Sequence, residues 1–511
     1  MANSRQQARR KQKHSETDIY LMEQEQDNKG IFLSIDWVTI MLYISLIVWG
    51  WFSVCGACYD FNNPNLFGWD SSSGKQIVWA GTSFMLAIVL MLIEKRVYDT
   101  AAYVIYGALM LLLVVTIFIA PDTKGSRSWL PIGSSIKIQP AEFAKFSVAL
   151  ALGKYMDRYG FTMRKAKDMA ACIGMIVLPM LLIVCQKETG SALVYLAFFL
   201  MLFREGMTGS LLFSGFACVV YFVVGMKYSD EMIGYLPVSV GEFTVLLLAM
   251  IFTIGMVWVY GKNMLAVKIM ASVAGGCTTL AMLFAIYVIP FDVCYIMLGV
   301  CLFIIGYIIA LAFFKQSYKY MLIAVFAILS TSLYYASSTI FDHLADHQRT
   351  RIEVLLGKKD DPRGAGYNVN QAKIAIGSGG LTGKGFLNGT QTKLKYVPEQ
   401  HTDFIYCTVG EEEGFIGASG VLIVYLLFIW RLIVLAERQP DTMGRVYGYS
   451  VLCIFLFHLF INVGMVLGLT PVIGIPLPFF SYGGSSLWGF TLLLFIFLRM
   501  DAERNLKRQR E

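Results

Sequence analysis

Long apolar runs alternate with short polar stretches from residue 35 to residue 500. They fall near residues 35–55, 76–93, 101–120, 139–156, 168–185, 190–204, 209–226, 243–261, 267–289, 292–314, 320–337, 404–436, 448–468 and 484–499. A helix needs about 20 apolar residues to cross the hydrocarbon core of a bilayer, and several of these runs are shorter. The pattern predicts an all-α polytopic membrane protein with about 14 transmembrane helices, the count being open by a helix or two. Composition agrees: 57% of the 511 residues are hydrophobic and 15% are charged, too little charge to cover a soluble surface of that size.

The polar segments set the limits of the domain and its orientation. Residues 1–34 begin with Arg5, Arg9, Arg10, Lys11 and Lys13, and lack the apolar stretch and cleavage site of a signal peptide. The first run is therefore expected to remain as an anchor. On this reading 1–34 is a cytoplasmic tail, 35–500 the membrane domain and 501–511 a basic cytoplasmic tail. Lys95 and Arg96, then Arg158, Arg164, Lys165 and Lys167, then Lys262, Lys268, Lys315 and Lys319 fall in alternate loops, as the positive-inside rule expects of a cytoplasmic face. An even helix count puts both termini on that side.

Two loops carry basic residues on the opposite face. Residues 121–138 hold Lys124, Arg127 and Lys137, and residues 338–403 hold nine lysines and arginines, among them Arg349, Lys358 and Lys384. An anionic ligand is the simplest use for them. The alternative is that long loops translocate regardless of charge, which covers the second loop better than the first. The net charge of +7 forms no basic stripe on a soluble domain, so nothing points to nucleic acid. The loop 338–403 reads as one long non-helical stretch. Its patterned apolar residues (Ile374, Ile376, Leu381, Phe386, Leu394, Val397) predict that it is ordered and packed onto the helix mouths.

Charged residues at the ends of the apolar runs are the candidate chemistry. In "QPAEFAKFSVAL", Pro140 suits a first helical turn, and a spacing of three puts Glu142 and Lys145 on one face. They either neutralise each other and fix helix packing or line a polar cavity below the basic loop. In "KKDDPRGAGY", Asp361 precedes a proline and is held extended between cations. A general base, a metal ligand and an ordinary Asp-Pro turn all fit those residues. "GSGGLTGKG" lacks the Walker order and the strand–helix setting, so a nucleotide site is rejected.

"PEQHTDF" places His401 and Asp403 where the next helix begins, with Glu411, Glu412 and Glu413 one or two turns in. Three acids there call for a bound cation or for salt bridges to the basic loop. "GLTPVIGIPLPFFSYGGSSL" reads as a re-entrant or capping loop, because broken backbone at membrane depth must be buried by protein or line a cavity. His458 and Asn462 just before it are expected to bond to each other or across helices. Most of the ten cysteines sit in apolar runs and read as packing residues. Cys55 and Cys58 form a CxxC with no further ligands nearby; packing is the reading and a local disulfide the alternative.

Taken together, "GSRSWLPIG", "IQPAEFAK", the stretch from "DPRGAGYNVNQAKIAIGSGG" to "VGEEEGFIG", and "TPVIGIPLPFFSYGGSSL" resemble the SEDS family (shape, elongation, division and sporulation proteins), in the family's order over about a quarter of the chain. "GKGFLNGTQTKLKYVPEQHTDF" is closer to the family's rod-shape (RodA) branch than to its division (FtsW) branch. The resemblance implies a SEDS-like helical bundle in the bacterial plasma membrane with a large extracytoplasmic loop. It also implies a peptidoglycan glycosyltransferase that polymerises lipid II during cell elongation. The family's key aspartate corresponds to Asp361, and its polar pair in the membrane to Glu142 and Lys145. Arg127, Lys384, His401, Asp403 and Ser481 complete the candidate substrate-binding set. A divalent cation, Mg or Mn, held by Asp361 and Glu142 is the alternative cofactor reading. The expected partners are lipid II, a class B penicillin-binding protein transpeptidase and other membrane proteins of the elongation complex. Two features depart from the family: "QKETGSAL" stands where a Pro-Asp-x-Gly-Thr motif is usual, and 227–319 reads as an insertion of two helical hairpins. A lipid II transporter and a non-catalytic scaffold for a transpeptidase are the competing functions.

Overall fold

The computed structural model describes residues 34–59, 66–69, 71–123, 125–132, 136–342, 346–356, 358, 365–394 and 396–510. Helix starts follow local chemistry. Asp36 caps α1 (Trp37–Cys58) by accepting from the Thr39 amide at 3.0 Å, and Ser71 caps α2 (Ser72–Leu92) through the Gly74 amide at 3.0 Å. After α3 (Lys95–Ile119), a two-stranded hairpin pairs β1 (Leu130–Ile132) with β2 (Ile136–Ile138), Leu130 opposite Ile138. It feeds α4 (Pro140–Met156), whose first residue is the proline that the sequence places there. α5 (Ala166–Cys185) and the shorter α6 (Thr189–Arg204) complete the first half of one compact unit.

A second compact unit runs from Thr208 to Tyr367. It contains α7 (Gly209–Lys227), α8 (Val240–Gly261), α9 (Met264–Tyr287), α10 (Cys294–Phe314), α11 (Tyr318–Asp342) and α12 (Asp346–Leu355). Its own core is built from Tyr221, Leu246, Met250, Met270, Met297, Ile304, Ile308 and Phe326. The unit is wider than the inserted hairpins read at 227–319, because α7 and α11 flank them and share that core.

The chain returns to the first unit through α13 (Ala365–Ser378), α14 (Thr390–Lys393), α15 (Ile405–Glu412), α16 (Gly414–Glu437), α17 (Thr442–Leu467) and α18 (Gly484–Arg510). α17 and α18 are buried along most of their length, whereas α2, α3 and α5 leave most of their apolar surface bare. That division makes α17 and α18 the centre of the unit and the others its lipid-facing wall. Tyr43, Phe428, Phe455, Phe479, Phe490 and Phe495 interlock at the centre, mostly edge to face, with Phe455 tilted against Phe490.

Three expectations need correction. Fourteen apolar helical segments lie where the sequence puts them, but among the described residues eleven are long and apolar enough to cross a membrane. α4 has 17 residues, and Thr189–Arg204 is also short. The run 404–436 is two helices, because Gly414 at φ +68° breaks the chain between α15 and α16. The loop 338–403 is not non-helical: α12, α13 and α14 lie within it. α13 buries Ala372 and Ala375, a helical spacing. Of that loop's patterned apolar residues, Val397 is buried and Ile376 half-buried, while Ile374, Leu381, Phe386 and Leu394 are exposed. Hydrogen bonds, described below, hold this segment more than apolar contact does.

One face of the first unit is laced by ion pairs. Asp36 meets Arg431, Lys95 meets Asp441, Lys154 meets Asp99, Arg158 meets Asp168, Arg445 meets Glu205, Arg204 meets Glu437 and Arg438 meets Asp501. Lys95 and Arg158, two of the basic residues from which the sequence argues an orientation, are among those that tie neighbouring segments together.

Candidate active site

Glu142 and Lys145 come together one turn into α4, both almost fully buried. The Lys145 ammonium donates to Glu142 Oε2 at 2.7 Å and to His458 Nε2 at 3.1 Å, and lies 4.8 Å from the Phe490 ring centroid. His458 Nδ1 sits 3.0 Å from the Pro476 carbonyl. A carbonyl only accepts, so Nδ1 carries the proton and a neutral ring offers Nε2 to the ammonium. All three directions of Lys145 are then used: carboxylate, imidazole and aromatic face. α18 reaches this cluster because Gly489 has no side chain; a Cβ there would stand 3.2 Å from the Glu142 carbonyl.

Of the two arrangements open to His458 and Asn462, the bonds run across to other segments and not between the two. Asn462 Nδ2 donates to the carbonyls of Ile475 at 2.8 Å and Asp403 at 2.9 Å. Both residues therefore fasten the non-helical 469–483 segment onto α17, and His458 extends that fastening to α4. The segment at 399–404 joins from the other side. The Tyr482 amide donates to the His401 carbonyl at 2.9 Å, and the two rings lie 5.4 Å apart. Gly474, at φ +79°, leaves room for Asp403, whose Oδ2 lies 3.2 Å from where a Cβ would be. Ser481 is buried and closes a turn by accepting from the Leu477 amide at 2.8 Å.

The remaining candidates fall in two places. Arg127 is exposed on the loop before the hairpin, and its amide donates to the Gln186 carbonyl at 3.0 Å. The departure from the family motif matters here: Glu188 accepts from Ser128 at 2.8 Å, so the altered segment anchors the loop that carries Arg127. Lys384 donates to Glu411 Oε1 at 2.8 Å and to Thr390 Oγ1 at 2.7 Å. Glu411, fully buried, also accepts from the amides of Gln391 at 2.9 Å and Thr392 at 3.0 Å. Burial pushes its carboxyl up, but Lys384 and these amides outweigh that and hold it below its ordinary value. Next to it Glu412 has no such set; burial, helped by the Glu411 charge, pushes its carboxyl up to about 8. Of the two roles open to this acid cluster, the salt bridge to the basic loop is the one Glu411 fills. The glycine-rich segment donates its Lys384 and Gly385 amides to the Glu411 and Glu412 carbonyls at 3.0 and 2.9 Å.

Asp361 lies outside the described residues. Among the described residues no three His, Cys, Asp or Glu side chains gather as metal ligands, and Glu142 is committed to Lys145. Cys55 and Cys58 form no disulfide with each other.

Comparison with known proteins gives this architecture a lineage. Residues 33–236 and 247–506 match the FtsW/RodA/SpoVE family of cell cycle proteins. The peptidoglycan glycosyltransferase RodA of Treponema pallidum (strain Nichols) is 31% identical over 431 residues, covering 84% of this chain and 89% of the relative. The peptidoglycan glycosyltransferase MrdB of Escherichia coli (strain K12) is 28% identical over 414 residues, 81% of each chain. Among solved structures, a chain of a peptidoglycan synthase complex that coordinates polymerization and crosslinking superposes with a TM-score of 0.57 at 21% identity, covering 92% of this chain and 98% of the other. The rod shape determining protein RodA of Thermus thermophilus gives 0.51 at 21%, covering 92% and 97%. These two establish likeness of fold. By the sequence matches, the chain belongs to the FtsW/RodA/SpoVE family of cell cycle proteins.

Proposed function

We infer that this chain is a peptidoglycan glycosyltransferase of the cell-elongation type, acting on lipid II at the outer face of the plasma membrane. One observation carries the reading: over 84% of its length the chain matches a protein named as a peptidoglycan glycosyltransferase, RodA. The alternate loops whose basic residues are ion-paired on one face support a cytoplasmic position for both termini. The outer loops then carry Arg127, Lys384 and Asp361.

The chemistry is a single in-line displacement, because the donor link is α and the product link β. The acceptor sugar's 4-hydroxyl oxygen bonds to the donor's anomeric carbon as the bond from that carbon to the diphosphate oxygen breaks. Asp361 takes the hydroxyl proton, and the polyprenyl diphosphate leaves with the electron pair. Cations stabilise the charge that grows on the leaving group. Arg127, exposed on an anchored loop, makes the direct contact in this reading. Lys145, neutralised by Glu142, contributes from within by fixing α4 and the 469–483 segment. A divalent cation on Asp361 is the alternative role for that residue. A class B transpeptidase is the expected partner, in keeping with the synthase complex whose fold the chain shares.

The test is polymerisation of lipid II by the purified chain with its cognate transpeptidase, wild type against Asp361→Ala, with and without chelator. Glycan strands from wild type and none from an equally folded variant support the reading. Equal strands from both remove Asp361 from the mechanism. No strands from either, with lipid II crossing liposome membranes, indicate a transporter instead. Loss of activity on chelation, restored by Mg or Mn, assigns Asp361 to a metal.

A further inference from the structure

The turn between α5 and α6 holds a lysine in a conformation that lysine disfavours. α5 ends by folding back on itself: the Lys187 amide donates to the Val184 carbonyl at 2.8 Å and the Glu188 amide to the Ile183 carbonyl at 3.2 Å. This pair of bonds closes a helix when the residue just past its end turns left-handed, and Lys187 stands there at φ +61°. Glycine is the usual occupant, because a Cβ in that conformation crowds the neighbouring carbonyl. The proline usual in the family motif could not make this turn, since its ring locks φ at about −65°. The lysine thus belongs to this chain's own version of the motif, and backbone strain borne for the sake of a side chain points to a use for that side chain.

What the turn touches identifies the use. The Gln186 carbonyl, in the peptide that leads into Lys187, accepts from the Arg127 amide at 3.0 Å, so two cationic residues far apart in the chain become neighbours across one backbone bond. Buried Ser128 donates to Glu188 at 2.8 Å and ties the same two segments a second time. Gln139 Nε2 donates to Ser191 Oγ at 3.3 Å, which joins the turn to the residue that caps α4. A Cβ on Gly190 would stand 2.7 Å from the Ile473 carbonyl, so the turn also lies against the 469–483 segment. On this fixed backbone the side chains of Arg127 and Lys187 are exposed, and among the described residues neither is ion-paired. The carboxylates of the two turns are engaged elsewhere: Asp122 accepts from the Gly125 amide at 3.0 Å and Glu188 from Ser128. Lys95, Arg158 and Arg445 of the same unit all meet acids. Two neighbouring cations without counter-ions suit an anion that brings its own charges.

We propose that Lys187 is a substrate-binding residue that, together with Arg127, holds the diphosphate of a polyprenyl diphosphate-linked sugar. This rests on the reading of the chain as a lipid II polymerase. Arg127 offers a planar fork of donors and Lys187 a compact point charge, one for each phosphate group. Negative charge grows on the diphosphate as it leaves, so a grip made on the bound substrate strengthens in the transition state. The left-handed turn fixes where the lysine side chain leaves the backbone, and the bond from Arg127 fixes the spacing between the two cations.

The decisive variant is Lys187→Gly, because glycine suits the left-handed turn and removes only the ammonium and its stem. It should melt close to wild type. Binding of a polyprenyl diphosphate to the full chain in detergent is expected to weaken about tenfold or more, and kcat/KM for lipid II, measured with the transpeptidase, to fall by at least as much. Lys187→Arg should keep both within about threefold of wild type. Equal diphosphate binding by wild type and Lys187→Gly, whether tight or absent, overturns the proposal, and so does a Lys187→Arg variant as weak as the glycine one. Titration of the same micelles with phosphatidylglycerol separates the two sources of phosphate: affinity for that lipid lost in Lys187→Gly, with diphosphate binding intact, assigns the lysine to the bilayer surface and also overturns it. Failure of the polymerase reading is seen separately, as no glycan strands from wild type, while the binding comparison still decides the role of Lys187.

Discussion

Glu411 accepts from Lys384, the Thr390 hydroxyl and two backbone amides, and removing it gives a graded, local test of how the segment 384–394 is held. In Glu411→Ala the amides of Gln391 and Thr392 lose their acceptor and Lys384 its counter-ion. A buried amide left unmet costs about 1–3 kcal/mol, and Thr392 is buried while Gln391 is half-buried. With the stranded ammonium the loss comes to about 3 kcal/mol, the low end of what breaking a buried pair costs. Lys384→Ala is milder, about 1–2 kcal/mol, because Glu411 keeps both amides and the Thr390 hydroxyl at 3.2 Å. Hydrogen exchange by mass spectrometry over 384–394 reads the difference directly. A loss of about 3 kcal/mol speeds exchange through local opening roughly 150-fold, and the lysine variant, losing about 1–2 kcal/mol, should speed it roughly 5- to 30-fold. The sign with pH follows from the lowered carboxyl. The contribution is fully present above its unfolded value of 4.5 and is lost as pH falls through the lower folded value. Glu411 itself should therefore add no pH dependence to exchange between about pH 5 and 7. Unchanged protection in Glu411→Ala, or equal losses in the two variants, would refute the clamp.

Two further outcomes follow from buried polar groups. Glu412 is pushed up to about 8, so the folded protein holds a proton that the unfolded chain releases near 4.5; stability should fall as pH rises from 4.5 to about 8 and level off above it. Glu412→Gln should flatten that decline in a thermal melt, and an equally steep decline would show that another group is responsible. His458→Phe and Lys145→Met, measured singly and together by thermal unfolding in detergent, should show a coupling of about 1–3 kcal/mol, since each removes the other's partner. Strict additivity would show that the pair makes no energetic contact.

Much of the architecture was legible because a bilayer imposes it. Apolar run length marks where helices lie, and Pro140 marks the start of α4. A spacing of three was enough to pair Glu142 with Lys145, since helix geometry alone brings such residues together. The sequence did not show α13 within the loop 338–403, although Ala372 and Ala375 at helical spacing were the available signal. Nor did it show that Ser481 and Lys384 are tied into the protein's own hydrogen bonds.

Contacts between residues far apart in the chain were decided only by the tertiary structure. His458 meets Lys145 from 313 positions away, and Lys358 meets Asp230 from 128. No local periodicity encodes such meetings. They depend on which helices pack together, through glycines such as Gly489 that let a backbone approach, and on which turns end facing one another. Local rules determined the helices and the charge of each loop; packing determined which charges meet, because a buried polar group must find its partner wherever the fold brings one.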